Sequence, residues 1–162
     1  MDKEEYGSNY QTHILEQYKL YVEMADRISQ RRDQSNRFYS ALLTGLLAVI
    51  SVVARLSDWQ ASGDLLSVVL ISVGLAGLAV CAIWFINIRS YKQLNSGKFR
   101  IIHEVEEQLP FPLYKKEWDY LRPSAGKKKY FQLTRIEQFI PIALAIPYLF
   151  LIIYAIVYWK CA

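Results

Sequence analysis

The chain has 162 residues, a hydrophobic content of 53% and a formal net charge of +4 at pH 7. This length allows one ordinary domain, and this apolar content excludes a disordered chain. The apolar residues lie in three uncharged runs, at 38–54, 65–88 and 139–159. Each run is long enough for the ~30 Å hydrocarbon core of a bilayer. We therefore predict an all-α membrane protein with three transmembrane helices.

The N-terminal part reads as a short tail, residues 1–10, followed by an amphipathic cytoplasmic helix over 11–37. Its apolar residues are three or four positions apart and form one stripe: Ile14, Tyr18, Tyr21, Ala25 and Ile28. No proline or glycine interrupts the chain from this stripe to Gly45. We expect one helix that continues into the first span, 38–54. A buried soluble helix is the alternative for that run, which is the shortest and most polar of the three.

Small residues recur in the first two spans. An external loop at 55–64 is expected to connect these spans. Small residues four positions apart let membrane helices approach closely. We name Ala41 and Gly45 in the first span and Gly74 and Gly77 in the second as helix-packing candidates. Their contacts lie either within one chain or between chains. Because three spans make a thin bundle, self-association is favoured.

The cytoplasmic segment 89–135 should begin as a continuation of the second span. A second stripe runs through Ile88, Tyr91, Leu94, Ile102, Val105 and Leu109. Pro110 and Pro112 end that helix, and Gly97 marks a bend or a close helix contact. The extensions of the first two spans are then expected to pack as an antiparallel hairpin.

An acidic run, "HEVEE", lies near the end of this second helix. A zinc hydrolase helix would need a second histidine four residues after His103, and Glu107 stands there instead. We predict that Glu106 and Glu107 face water. An interhelical polar contact and metal or acid–base chemistry are the alternatives. No catalytic, cofactor or metal residue is assigned.

Beyond the prolines, Tyr114, Trp118 and Leu121 share a helical face and form a candidate surface for a cytoplasmic protein partner. The third transmembrane helix should occupy 136–160. Thr134 and Glu137 have the spacing of a capping box at its start. Pro147 removes a main-chain hydrogen bond and should kink the helix, as a structural feature or as a gate.

The basic residues predict the orientation, since lysine and arginine collect on the cytoplasmic side. They are concentrated before residue 38 and between 89 and 135. The N-terminus is therefore expected in the cytoplasm and the C-terminus on the opposite side of the bilayer. We interpret the positive charge as facing the lipid headgroups of that bilayer, and we predict no nucleic-acid partner. Interfacial anchors are expected at the ends of spans, at Trp59, Trp84, Tyr158 and Trp159.

Several short motifs carry a resemblance: "LNSGKF" at 94–99, "LP" at 109–110, "EW" at 117–118, and "IEQFIP" at 136–141. With these motifs the chain resembles a family of small bacterial three-span membrane proteins, and this resemblance implies that it lies in a bacterial inner membrane. In layout, although not in motif, it is also similar to SLATT-type membrane proteins, which are proposed to act as pore-forming effectors in bacterial conflict systems. The second resemblance implies a role in permeabilising membranes.

Two functions fit these observations. The spans contain no Asp, Glu, Lys, Arg or His, which weighs against a proton-coupled transporter or an intramembrane acid protease. We predict a non-enzymatic homo-oligomer without cofactors that acts as a pore-forming or membrane-disrupting defence effector. The alternative is an accessory subunit that anchors or regulates a partner bound through 89–135.

Overall fold

The computed structural model describes residues 6–56, 63–121 and 136–161, and it describes only the backbone of 53–56, 63–65 and 161. The described residues form four helices and no strand: α1 Tyr10–Leu56, α2 Gly63–Glu106, α3 Leu113–Leu121 and α4 Phe139–Cys161. Helices α1, α2 and α4 are long and apolar enough to cross a membrane. The predicted all-α fold with three candidate spans is confirmed.

The first two helices are much longer than a bilayer is thick. α1 has 47 residues and α2 has 44, which corresponds to roughly 65–70 Å each at the α-helical rise. The amphipathic segment and the first span are one uninterrupted helix, as expected. The external loop predicted at 55–64 lies largely outside the described residues, and the cytoplasmic segment 89–135 is described as far as Leu121.

α2 ends earlier than the prolines suggested. Its last helical residue is Glu106, and the stripe was expected to continue to Leu109. The backbone N–H groups of Gln108 and Leu109 bond to carbonyl oxygens three residues earlier, which is the geometry of a tightened last turn. Leu109 precedes a proline, and this position disfavours the α conformation.

The chain forms two compact units. The polar unit comprises Met1–Arg32 and Ser90–Gln132, and the apolar unit comprises Asp33–Arg89 and Leu133–Ala162. Helices α1 and α2 contribute to both, whereas α3 belongs to the polar unit and α4 to the apolar unit.

The polar unit contains the expected antiparallel hairpin. Three tyrosines of α1 contact residues at or near the end of α2, in the pairs Tyr10–Gln108, Tyr18–Glu106 and Tyr21–Lys98. The residue number of the partner falls as that of the tyrosine rises, which is the order of an antiparallel pair. The predicted stripe on α1 faces inward, since all five of its residues are buried or partly buried. Burial of this stripe supplies the hydrophobic part of the hairpin's stability.

The stripe predicted on α2 is wrong at one position. Leu94 is exposed, whereas Lys98 is buried on the inner line of the helix together with Ile102. The ammonium group of Lys98 lies 4.2 Å from the ring centroid of Tyr21, a cation–π contact that compensates part of its desolvation. A sequence pattern treats lysine as an exposed residue. It therefore places Leu94, and not Lys98, on the buried line of α2.

The apolar unit packs around a cluster of five buried residues, which are Leu43, Cys81, Trp84, Ile88 and Tyr148. The Tyr148 hydroxyl on α4 donates a hydrogen bond of 2.7 Å to the main-chain carbonyl oxygen of Leu43 on α1. That carbonyl has a second lone pair for this bond. The contact satisfies the phenol and joins the first and third spans.

Candidate functional site

A buried carboxylate lies at the C-terminal end of α2. Glu106 is only 1% exposed. Its Oε1 accepts hydrogen bonds from the Tyr18 hydroxyl at 3.0 Å and from the Tyr114 backbone N–H at 2.8 Å. Its Oε2 accepts the backbone N–H of Lys115 at 3.1 Å. Donors from α1 and α3 thus satisfy a group whose burial would otherwise be costly.

Glu106 also caps α3. That helix begins immediately after Pro112, which has no side-chain acceptor for the free N–H groups of the first turn. The distant carboxylate takes the role that a Ser or Asp usually plays at a helix start. α3 has nine residues, a length at which an isolated helix is marginal. The cap and the edge-to-face contact between Phe99 and Tyr114, at 5.6 Å, hold it against α2.

The expectation that Glu106 faces water is wrong. Its side chain instead makes the interhelical polar contact that was the alternative. Glu107 does lie at the surface, with its carboxylate 3.5 Å from the Lys115 ammonium. The two glutamates differ because Glu106 follows Ile102 by four residues and continues the buried line of α2. The sequence signal for the burial of Glu106 was its position, since this polar residue continues the apolar line of α2.

His103 lies beside this carboxylate and is partly exposed. Its Nδ1 is 3.6 Å from Oε2 of Glu106, an ion pair only when the imidazole is protonated. In the described part of the chain, no three His, Cys, Asp or Glu side chains come close enough together to hold a metal ion. The arrangement links helices through hydrogen bonds.

The residues of the predicted partner surface separate in the structure. Tyr114 turns towards Phe99 and is partly buried, and Leu121 is also partly buried. Trp118 is exposed. Of the three, Trp118 is the residue that the structure leaves exposed on α3, at 40%.

A shallow groove of about 400 Å³ lies along α3. It is lined by Phe111, Leu113, Lys116, Glu117, Tyr120 and Leu121. Tyr120 is 75% exposed, and Phe111 and Leu113 are also largely exposed. Large apolar side chains at a polar surface are typical of binding sites for other proteins.

The glycines of the second span make contacts inside the apolar unit. A Cβ added at Gly77 would overlap the ring of Tyr148, and one at Gly74 would overlap the side chain of Ile152. Both glycines therefore allow α4 to approach α2 closely, in the way that small residues do between membrane helices.

The small residues of the first span are placed differently. Ala41 and Gly45 are exposed, and a Cβ added at Gly45 would meet no atom within 4 Å in the part of the chain that the structure describes. The contacts of the two spans are thus unequal, because the second span uses Gly74 and Gly77 within the chain, whereas Gly45 of the first span makes no such contact with the described residues.

A polar layer in the apolar unit was not predicted. The indole N–H of Trp84 donates a 2.9 Å hydrogen bond to Oδ1 of Asn36, and the Asn87 amide donates one of 2.9 Å to the Ser35 hydroxyl. The expectation that Trp84 is an interfacial anchor is wrong, since it is 1% exposed and stacks on Tyr39. The sequence signal for this polar layer was Asn87, an asparagine within an apolar run, because such a side chain needs a hydrogen-bonding partner.

The remaining candidates lie around α4. Thr134 lies outside the described residues, so the capping box with Glu137 stays a prediction. α4 continues as a helix through Pro147. Tyr158 stacks on Tyr154, and Trp159 is exposed near the end of the helix.

A family model described as the octameric membrane protein family, 8xMP, matches residues 15–157. The match extends from the first turns of α1 almost to the end of α4, so it includes the three candidate spans and the hairpin. No curated protein and no solved structure matches the chain.

Proposed function

This chain belongs to the octameric membrane protein family, and from that membership we propose that eight copies assemble in the bacterial inner membrane into a non-enzymatic complex. The family match over most of the chain is the observation that carries the proposal. It agrees with the self-association predicted from three thin spans. We propose a cytoplasmic N-terminus because the basic residues are concentrated before residue 38 and between 89 and 135.

The assembly is proposed to open a path across the membrane as a defence effector. Three spans of one chain are too few to enclose such a path, whereas a ring of eight copies has enough helices. The absence of charged residues from the spans weighs against a proton-coupled carrier. The defence role rests on the resemblance in layout to SLATT-type proteins.

The test of this activity is ion leakage from liposomes that contain the purified protein. We expect release of an entrapped ion when the protein is present and no release from protein-free liposomes or from liposomes with an unrelated three-span protein. Tight liposomes at all protein-to-lipid ratios, with the octamer intact, would contradict a path.

The second candidate function is an accessory subunit that anchors or regulates another protein. The exposed apolar residues along α3, including Tyr120 and Trp118, favour it. A stable complex with a second protein that is lost in Tyr120→Ser, while the membrane assembly remains, would support this role. Toxicity on overexpression without any partner would instead support the pore.

A further inference from the structure

We propose that the exposed small-residue face of α1 is the surface through which one copy of the chain packs against the next in the membrane. We call it the small face, and it consists of Ala41, Thr44, Gly45, Ala48 and Ser51. The inference rests on the proposed octamer, and it specifies which part of the chain makes the contact.

The small face lies on the outside of the apolar unit. All five of its residues are exposed. A glycine inside a helix costs about 1 kcal/mol relative to alanine. At Gly77 the structure uses the space, because the ring of Tyr148 lies there. At Gly45 no atom of the described residues beyond its own stretch of helix lies within 4 Å of where a Cβ would be, so the space is open to a neighbouring molecule.

The exposed surface of α4 shows what a lipid-facing helix of this protein looks like. Its outward residues are mainly large and apolar: Ile142, Ile146, Leu149, Phe150, Ile153 and Val157. Between residues 41 and 52, the exposed positions of α1 are small apart from Leu42, Val49 and Val52. Large side chains fill space among lipid tails, whereas small ones let two helix backbones approach. The contrast favours a protein neighbour on α1 and lipid on α4.

The hydroxyl groups of the small face bond within their own helix. Thr44 donates a hydrogen bond of 2.8 Å to the Ser40 carbonyl oxygen, and Ser51 donates one of 2.8 Å to that of Leu47. Neither hydroxyl proton requires water, so this face suits a dry helix contact.

A groove beside the small face offers room for side chains of the neighbour. It measures about 420 Å³, and it is lined in part by Ser40, Ala41 and Thr44 with Trp84 and Ile140. A closed ring of eight copies joins two different surfaces of each copy. The small face and its groove would form one of them and receive a different surface of the adjacent copy.

The first test compares native masses of Gly45→Leu and Ala143→Leu. Both changes place a leucine at an exposed position of a span, the first on the small face and the second on α4. Gly45→Leu is expected to lose the eight-copy mass and appear as smaller species, while Ala143→Leu keeps it. An intact octamer of Gly45→Leu would overturn the inference and leave the proposed octamer standing. A wild-type protein that is not octameric would overturn both.

A second test does not depend on how well Gly45→Leu folds. A diazirine-bearing, leucine-sized amino acid is placed at Val49 on the edge of the small face or at Ile153 on α4, two positions of similar exposure. After illumination in membranes, the probe at Val49 should give a product of twice the chain mass and the probe at Ile153 should not. Dimer products from Ile153 and none from Val49 would contradict the inference.

Discussion

The hydroxyl of Tyr18 on α1 donates a 3.0 Å hydrogen bond to Glu106 at the end of α2, across 88 positions of sequence. The same carboxylate accepts the backbone N–H groups of Tyr114 and Lys115 in α3. One side chain therefore joins α1, α2 and α3 within the polar unit.

Replacement of Glu106 by alanine should release α3. The change leaves the Tyr18 hydroxyl and two N–H groups of α3 without their acceptor, and each such loss costs about 1–3 kcal/mol. We expect the amides of α3 to lose most of their protection from hydrogen exchange, measured by mass spectrometry on the assembled protein. Glu107→Ala is the matched control, because its side chain is exposed and its ion pair with the Lys115 ammonium lies at the surface, where such pairs contribute little. Equal protection of α3 in the two variants would show that Glu106 does not hold the helix.

The stability of the polar unit should fall at high pH because of Tyr18. Burial, and then the hydrogen bond to Glu106, raise the pKa of the Tyr18 phenol above its ordinary value of 10.0. A raised pKa means that the folded state favours the protonated phenol. Its contribution is complete below about pH 10 and is lost as the pH rises towards the folded-state pKa.

The measurement is urea unfolding of wild type and Tyr18→Phe from about pH 8 to about pH 11, followed by tryptophan fluorescence. The wild type should lose more stability than Tyr18→Phe as the pH rises past about 10. Tyr120→Phe, which removes an exposed phenol, should follow the wild type. If the free energy of unfolding fell equally with pH in the wild type and in Tyr18→Phe, the Tyr18 phenol would not be the cause of the pH dependence.

Close packing between α2 and α4 predicts a severe effect at Gly77. In Gly77→Ala the added methyl group overlaps the ring of Tyr148, and overpacking of this kind costs about 1–3 kcal/mol. A lower midpoint of thermal unfolding in detergent is expected. Gly97→Ala is the control in the same helix, since no atom lies within 4 Å of the added Cβ and alanine favours the helix. A Gly77→Ala protein as stable as Gly97→Ala would contradict the packing.

The sequence was sufficient to predict the helices because their signals are simple. Uncharged runs of span length, and the stripe from Ile14 to Ile28, require only composition and periodicity. The errors at Glu106, Lys98 and Trp84 share one cause. Each is a residue with a polar group that the pattern assigns to water or to the interface, and each is buried because a partner distant in sequence satisfies that group. Such partners become visible only when the helices are packed.

The same reasoning applies to the small residues. Their spacing identified both Gly45 and Gly77 as candidates for close helix packing. It could not show which of the two packs against a helix of the same chain. The position of Tyr148 on α4 decides that, because its ring fills the space above Gly77 and leaves Gly45 open. For α3, the sequence placed Tyr114 and Trp118 on one face, and the contact with Phe99 separates their roles.

The predicted orientation can be tested with the two cysteines. A membrane-impermeant maleimide added to intact spheroplasts should label Cys161, which is expected outside, and should spare the buried thiol of Cys81. Cys161→Ser removes the expected label and is the control. Labelling of Cys161 only after the membrane is opened would reverse the topology deduced from the lysines and arginines.

The most direct test of the account is the native mass of the purified protein in a mild detergent or a nanodisc. The account predicts a discrete species of eight times the chain mass of 18.9 kDa, after correction for bound detergent or lipid. A monomer or dimer under conditions that preserve the helical content would contradict it, because so few spans cannot enclose a path through the membrane.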